Sequence, residues 1–119
     1  GETENKPAEE ASSAPGFVQF GETVVNLDSG RLNRYLRVTI TLQVAESDVE
    51  PLKGDIEKKR VILKNWLLSY RSNKTQSDIR GEEEQKRLRR MIRDYFNSVL
   101  STDGTKRVAD VLFEEFNVQ

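Results

Sequence analysis

From Tyr35 to Val44 the chain alternates without a break. Leu36, Val38, Ile40, Leu42 and Val44 are apolar, and Tyr35, Arg37, Thr39, Thr41 and Gln43 lie between them. A period of two held over this length, rich in β-branched residues, predicts a strand with one apolar and one polar face. The apolar face needs a cover, and two amphipathic helical patterns follow it. The expected architecture is α+β: an antiparallel-rich sheet with 35–44 as its spine, packed on one face by two amphipathic helices. The polar face (Arg37, Thr39, Thr41, Gln43) is left for water or a partner.

The flanking elements follow from the same reading. Phe17 to Leu27 reads as the first strand, with Val18, Phe20 and Val24 on one face and Val25 and Leu27 on the other. Gly21 within it suggests a bulge or bend. Asp28-Ser29-Gly30 is turn chemistry, and the loop to Arg34 joins this strand to the spine as an antiparallel hairpin. Ser47-Asp48-Val49-Glu50 is a capping box that predicts the start of the first helix. Pro51 is tolerated in its first turn, and Gly54 weakens that region by about 1 kcal/mol relative to Ala. Ile56, Leu63, Trp66, Leu67 and Tyr70 recur at helical spacing, which assigns Trp66 and Tyr70 to the core rather than to a pocket. Ser72-Asn73-Lys74 breaks the helix, and Thr75-Gln76-Ser77-Asp78 is a second capping pattern.

The second helix, Glu82 to Leu100, is the most regular element. Leu88, Met91, Ile92, Tyr95, Phe96, Val99 and Leu100 form its apolar stripe. Glu82, Glu83 and Glu84 sit in the first turn, where the helix dipole favours negative charge. Ser101-Thr102-Asp103-Gly104 ends it. Val108 to Val118 is the last strand, with Val111 and Phe113 on one face and Leu112, Phe116 and Val118 on the other. Apolar residues on both faces predict a strand covered on both sides.

Composition narrows function more than fold. The 119 residues suit one domain. Residues 1–16 are small and polar and read as a flexible linker, which leaves 17–119 as the folded part. Lys+Arg is 19 against Asp+Glu 20, a net charge of -1 that gives no general attraction to nucleic acid or anionic membrane. The chain has no Cys and no His. Disulfides, thiolate chemistry and Ser–His or Cys–His catalysis are therefore excluded. No apolar run approaches the roughly 20 residues of a membrane span. Because the chain opens with Gly1, it reads as an excised fragment whose upstream anchor lies elsewhere.

Few residues carry candidate chemistry. Lys86, Arg87, Arg89, Arg90 and Arg93 on the second helix would suit phosphate or nucleic acid. That is the alternative function, a nucleic-acid or phosphate-binding module. Glu82–Glu84 beside this row and the lack of a stacking set favour a solvated face. Glu114 and Glu115, as neighbours in a strand, are expected on opposite faces and so unable to converge as an acid/base pair. A hydrolase built on Asp78, Asp94, Asp110, Glu114 or Glu115 lacks a converging partner. No metal, cofactor or catalytic site is expected. The terminal strand, apolar on both faces, is a candidate subunit contact.

Three stretches together resemble a known family. They are Val24-Val25-Asn26-Leu27 with Arg34-Tyr35-Leu36-Arg37-Val38; Leu88-Arg89 leading to Ile92 and Asn97; and the ending Val108 to Gln119 around Val111-Leu112-Phe113-Glu114-Glu115-Phe116. Their order is similar to the periplasmic domain of the flagellar basal-body-associated FliL family, over about 24–119. Glu114 and Asn117 depart from the small polar and aliphatic residues usual there. The resemblance implies a stomatin-like (SPFH) α+β domain on the periplasmic side of the bacterial inner membrane, tethered by an N-terminal helix. It implies a non-enzymatic accessory of the flagellar motor that binds stator proteins, assembles as a homo-oligomeric ring, supports torque and motility, and takes no nucleic acid. Exposure logic then places protein contacts at Arg37, Thr39 and Thr41 on the polar face, and at Phe116 and Val118 on the terminal strand.

Overall fold

The computed structural model describes residues 14–26, 35–70, 81–101 and 103–118. Residues 1–13 of the expected linker lie outside that set. So do Leu27, the Asp28-Ser29-Gly30 turn with its loop to Arg34, the break at Ser72-Asn73-Lys74 and the capping pattern Thr75-Gln76-Ser77-Asp78.

The described residues form three strands and two helices: β1 (Pro15–Asn26), β2 (Tyr35–Ala45), a 3₁₀ turn (Glu46–Asp48), α1 (Val49–Ser69), α2 (Glu82–Leu100) and β3 (Val108–Val118). The sheet order is β1-β2-β3, both pairs antiparallel, so the alternating strand is the spine as expected. Its apolar residues Leu36, Val38, Ile40, Leu42 and Val44 are all buried. Both helices pack on that one face, α1 mainly against β1 and α2 against β3. Leu52, Ile56, Leu63 and Leu67 of α1 meet Leu88, Ile92, Phe96 and Leu100 of α2 in one core. Each fully buried side chain of this kind contributes about 1.5–3 kcal/mol. Phe20 and Phe96 make an edge-to-face contact at 5.2 Å across the sheet–helix boundary. Trp66 stacks on Tyr95 at 4.3 Å between the helices, with Tyr70 beside it.

The first helix starts differently from the expectation. Ser47 lies inside the 3₁₀ turn, and Asp48 occupies the cap position without a side-chain cap. The turn is held instead from outside: the Glu46 N–H donates to Ala14 O at 2.7 Å. Gly16 makes this possible. A Cβ there would fall 2.6 Å from Val49 Cγ2 and 2.9 Å from Glu46 Cα.

Three irregularities in the ladders decide which side chains face the core. The β1–β2 register shifts between Gln19 and Gly21, and Gly21 sits at φ 113, a conformation glycine takes at little cost. This reverses the phase of the strand. Val18 and Phe20 point inward before the bulge, Thr23 and Val25 after it, and Val24 is turned outward rather than sharing a face with Val18. In β3 the register shifts again between Glu114 and Asn117, with Glu115 at φ 54. Val111, Phe113, Phe116 and Val118 therefore all pack toward the core, and Leu112 lies opposite Thr41 on the other face. Among the described residues nothing covers the second side of the strand; the bulge makes the sequence read as apolar on both faces. The third shift lies between Val108 and Asp110. There the buried Asn97 amide pairs with the Val108 backbone, Nδ2 to O at 3.0 Å and N–H to Oδ1 at 2.8 Å. Asn97 stands in for a missing neighbour strand.

Candidate functional site

The side of the sheet away from the helices has no covering element among the described residues. Register builds it in rows across the strands. Glu22, Thr39 and Glu114 form one row; Val24, Arg37 and Asn117 form the next; Gln19, Thr41 and Leu112 lie on the other flank. Phe17, Gln43 and Asp110 continue it at one end, Asn26 and Tyr35 at the other. Carboxylates dominate: Glu22, Asp110, Glu114 and Glu115 share the surface with the guanidinium of Arg37, whose Nε lies 4.0 Å from Glu22 Oε2.

Thr39 is the centre of this face. Its hydroxyl donates to Glu115 Oε1 at 3.2 Å, and its side chain is buried although no helix covers it. The left-handed backbone at Glu115 brings that carboxylate to Thr39 while Glu114 sits directly opposite Thr39 in register. The expectation that these two glutamates point to opposite faces is overturned by the bulge. Both carboxylates remain exposed on this face. Among the described residues no group of Asp, Glu, His or Cys is placed to hold a metal ion.

The five expected contact residues divide into two groups. Arg37 is exposed and Thr41 half-buried on the helix-free face, with Thr39 locked between them. Phe116 and Val118 are half-buried against the core, Phe116 lying 5.8 Å from Phe113. The basic row of α2 carries local partners: Lys86 lies 3.9 Å from Glu82, Arg87 3.7 Å from Glu84 and Arg93 3.1 Å from Asp94.

Polar residues that tie the elements together escaped sequence reading. Arg60 of α1 donates from Nη1 to the Phe20 carbonyl at the β1 bulge, its guanidinium lies 4.8 Å from the centre of the Phe20 ring, and it binds Glu57 at 2.7 Å. That hydrogen bond holds the Glu57 carboxyl below the usual range. Arg107 bridges Asp55 and the Leu100 carbonyl, each at 2.9 Å. Such residues have no periodic signature, since their partners are distant in sequence. Burial pushes the Tyr70 hydroxyl up, and Arg87 opposes this. Hydrogen bonds from Thr105 hold Asp103 low.

The family model of the flagellar basal body-associated protein FliL matches residues 17–119, nearly the whole of this fold. The chain belongs to the FliL family. A flagellar protein FliL of Aquifex aeolicus is 31% identical over 96 residues, covering 81% of this chain and 56% of that relative. The chain thus spans little more than half the length of that FliL protein. The FliL family is one of flagellar basal-body association and not a known enzyme family. Among the described residues no helix is long and apolar enough to cross a membrane.

Proposed function

We propose that this FliL domain is a non-enzymatic accessory of the flagellar motor, facing the periplasm and tethered to the inner membrane by a helix outside this chain. It self-assembles around the stator and binds it in support of torque. The observation that carries the reading is the helix-free sheet face, a broad polar surface on a FliL-family fold. Binding there favours the active stator only by the difference in affinity between its active and inactive states. Arg37 and Thr41 are the contacts offered to the partner, and Thr39 fixes the surface between them. Phe116 and Val118 belong to the β3 edge, where a neighbouring copy would meet the sheet.

Chromosomal tagging of the full-length protein tests this. Foci that coincide with flagellar bases, and disperse when the stator genes are deleted, are expected. Arg37→Glu with Thr41→Glu should lower swarming while the protein stays folded and membrane-bound. Diffuse fluorescence, or motility unchanged by deletion of the gene, would end the reading.

A further inference from the structure

The outward side of α1 carries exposed apolar residues among its charges. Val61 is 81% exposed, and Ile62 and Leu68 are each 48% exposed. Gly54, Val61 and Leu68 recur at seven-residue spacing, so they form one stripe. The space above Gly54 is open: a Cβ there would meet nothing within 4 Å. The stripe thus has a notch at one end, a knob at the other and Val61 midway between them. Each end lies about 10.5 Å from Val61 along the axis.

We infer that α1 pairs with α1 of a second copy of this chain, antiparallel, about a twofold axis at Val61. The occupant is fixed by self-complementarity. With the axis at Val61, Leu68 of one copy enters the notch over Gly54 of the other, twice by symmetry. The flanks agree in charge. Glu57 and Lys64 lie on one side of the stripe, at offsets of about 6 and 4.5 Å from Val61 in opposite directions. Antiparallel pairing therefore sets Glu57 of each copy beside Lys64 of the other. On the opposite flank Lys58 meets Asn65, so no like charges are opposed. Glu57 already binds Arg60 at 2.7 Å within its own chain, and its carboxylate has further acceptor sites for a lysine. A parallel pairing would set Gly54 against Gly54 and Leu68 against Leu68, leaving a gap at one end. This contact goes beyond the stator reading and does not depend on it.

The test uses the whole 119-residue chain, which has no cysteine of its own. Sedimentation over a range of concentrations should show a monomer–dimer equilibrium. Val61→Glu should abolish the dimer while leaving the melting curve of the dilute monomer unchanged. Glu57→Lys should weaken association severalfold, and adding Lys64→Glu to the same chain should restore it. Orientation is read by oxidation: a mixture of Gly54→Cys and Leu68→Cys chains should cross-link to each other, while Gly54→Cys alone should not. Gly54–Gly54 cross-links, a monomer at all concentrations, or failure of the charge swap to rescue would each overturn the pairing. A monomer whose stator-dependent foci are lost on Val61→Glu would assign the stripe to another partner, again against it. Loss of the dimer with foci intact would separate this contact from the flagellar reading.

Discussion

The two helices lie side by side on one sheet, yet they divide their surfaces differently. In α2 the apolar residues converge on one side: Leu88, Ile92, Phe96 and Leu100 are buried, Tyr95 and Val99 pack beside them, Met91 at the margin of the stripe is 40% exposed, and charged residues cover most of the rest. In α1 the buried set Leu52, Ile56, Leu63 and Leu67 is matched by Val61, Ile62 and Leu68 on exposed sides. A helix with one apolar stripe is fully explained by its own core. In α1 the row of Val61 and Leu68 lies outside that core, and an exposed apolar row is informative where its residues are contiguous along the helix. The difference separates residues that fold the chain from residues kept for contact.

The sharpest way to test that division is to cut both kinds of residue. Phe96→Ala removes a fully buried ring that touches Phe20 and should cost about 3–5 kcal/mol, seen as a large drop in melting temperature. Val61→Ser in α1 should shift the melting temperature of the monomer hardly at all, within about 0.5 kcal/mol. If Val61→Ser destabilised as much as Phe96→Ala, the outward stripe would belong to the fold and the comparison would fail.

A polar residue inside α2 tests the rule from the other direction. Asn97 lies on the helix but serves β3, pairing both backbone groups of Val108. Asn97→Ala leaves those groups without their partner and should cost about 1–3 kcal/mol. Hydrogen exchange should show the Val108 amide opening while the amides of mid-β2 stay protected. An unchanged Val108 exchange rate would mean that water replaces the side chain without loss.

These cases show what the order of residues could reveal. The α2 bounds were legible because apolar spacing, acidic first turn and terminal turn chemistry agree on the same residues. The bounds of β2 and β3 were legible for the same reason. The facing of β1 and β3 was not. A single bulge residue reverses every side chain beyond it, and nothing local in Glu114-Glu115-Phe116 marks a left-handed turn at a glutamate. Gly21 did mark its bulge, but the phase change it imposes needs the register of the partner strand. The helix-free face was legible as the polar side of β2. Its carboxylate row was not, because Glu22 and Glu114 meet only across three strands. The 3₁₀ turn before the helix was not legible, because its Glu46 N–H bonds to Ala14 across a close approach of β1 at Gly16, a contact distant in sequence.

A smaller effect separates the exposed stripe from helix propensity. Gly54→Ala should stabilise the monomer by about 1 kcal/mol, because the new Cβ meets nothing and α1 gains a better helix former. The corresponding change at Gly16 should destabilise, because its Cβ runs into Val49 and the Glu46 backbone. Paired melting curves of the two variants check both signs. Similar shifts in both would show that chain entropy, and not space, governs these positions.

The smallest expected effect lies where the helices meet. Tyr70, at the end of α1, donates its hydroxyl to Met91 Sδ of α2 at 3.3 Å, and burial raises its ionisation above the ordinary value near 10. A raised value means that the folded state holds the phenolic proton more tightly than the unfolded chain. The resulting stability is fully present below about pH 10 and is lost as pH rises through the folded-state value. Partial exposure and the opposing charge of Arg87 keep the contribution small. Tyr70→Phe should flatten the alkaline side of the stability–pH curve while changing the neutral region little. Urea midpoints measured from pH 8 to 11 decide it: parallel curves for the two proteins would show that ionisation of Tyr70 is not linked to folding, and that the α1–α2 seam rests on its buried apolar core and the Trp66–Tyr95 stack.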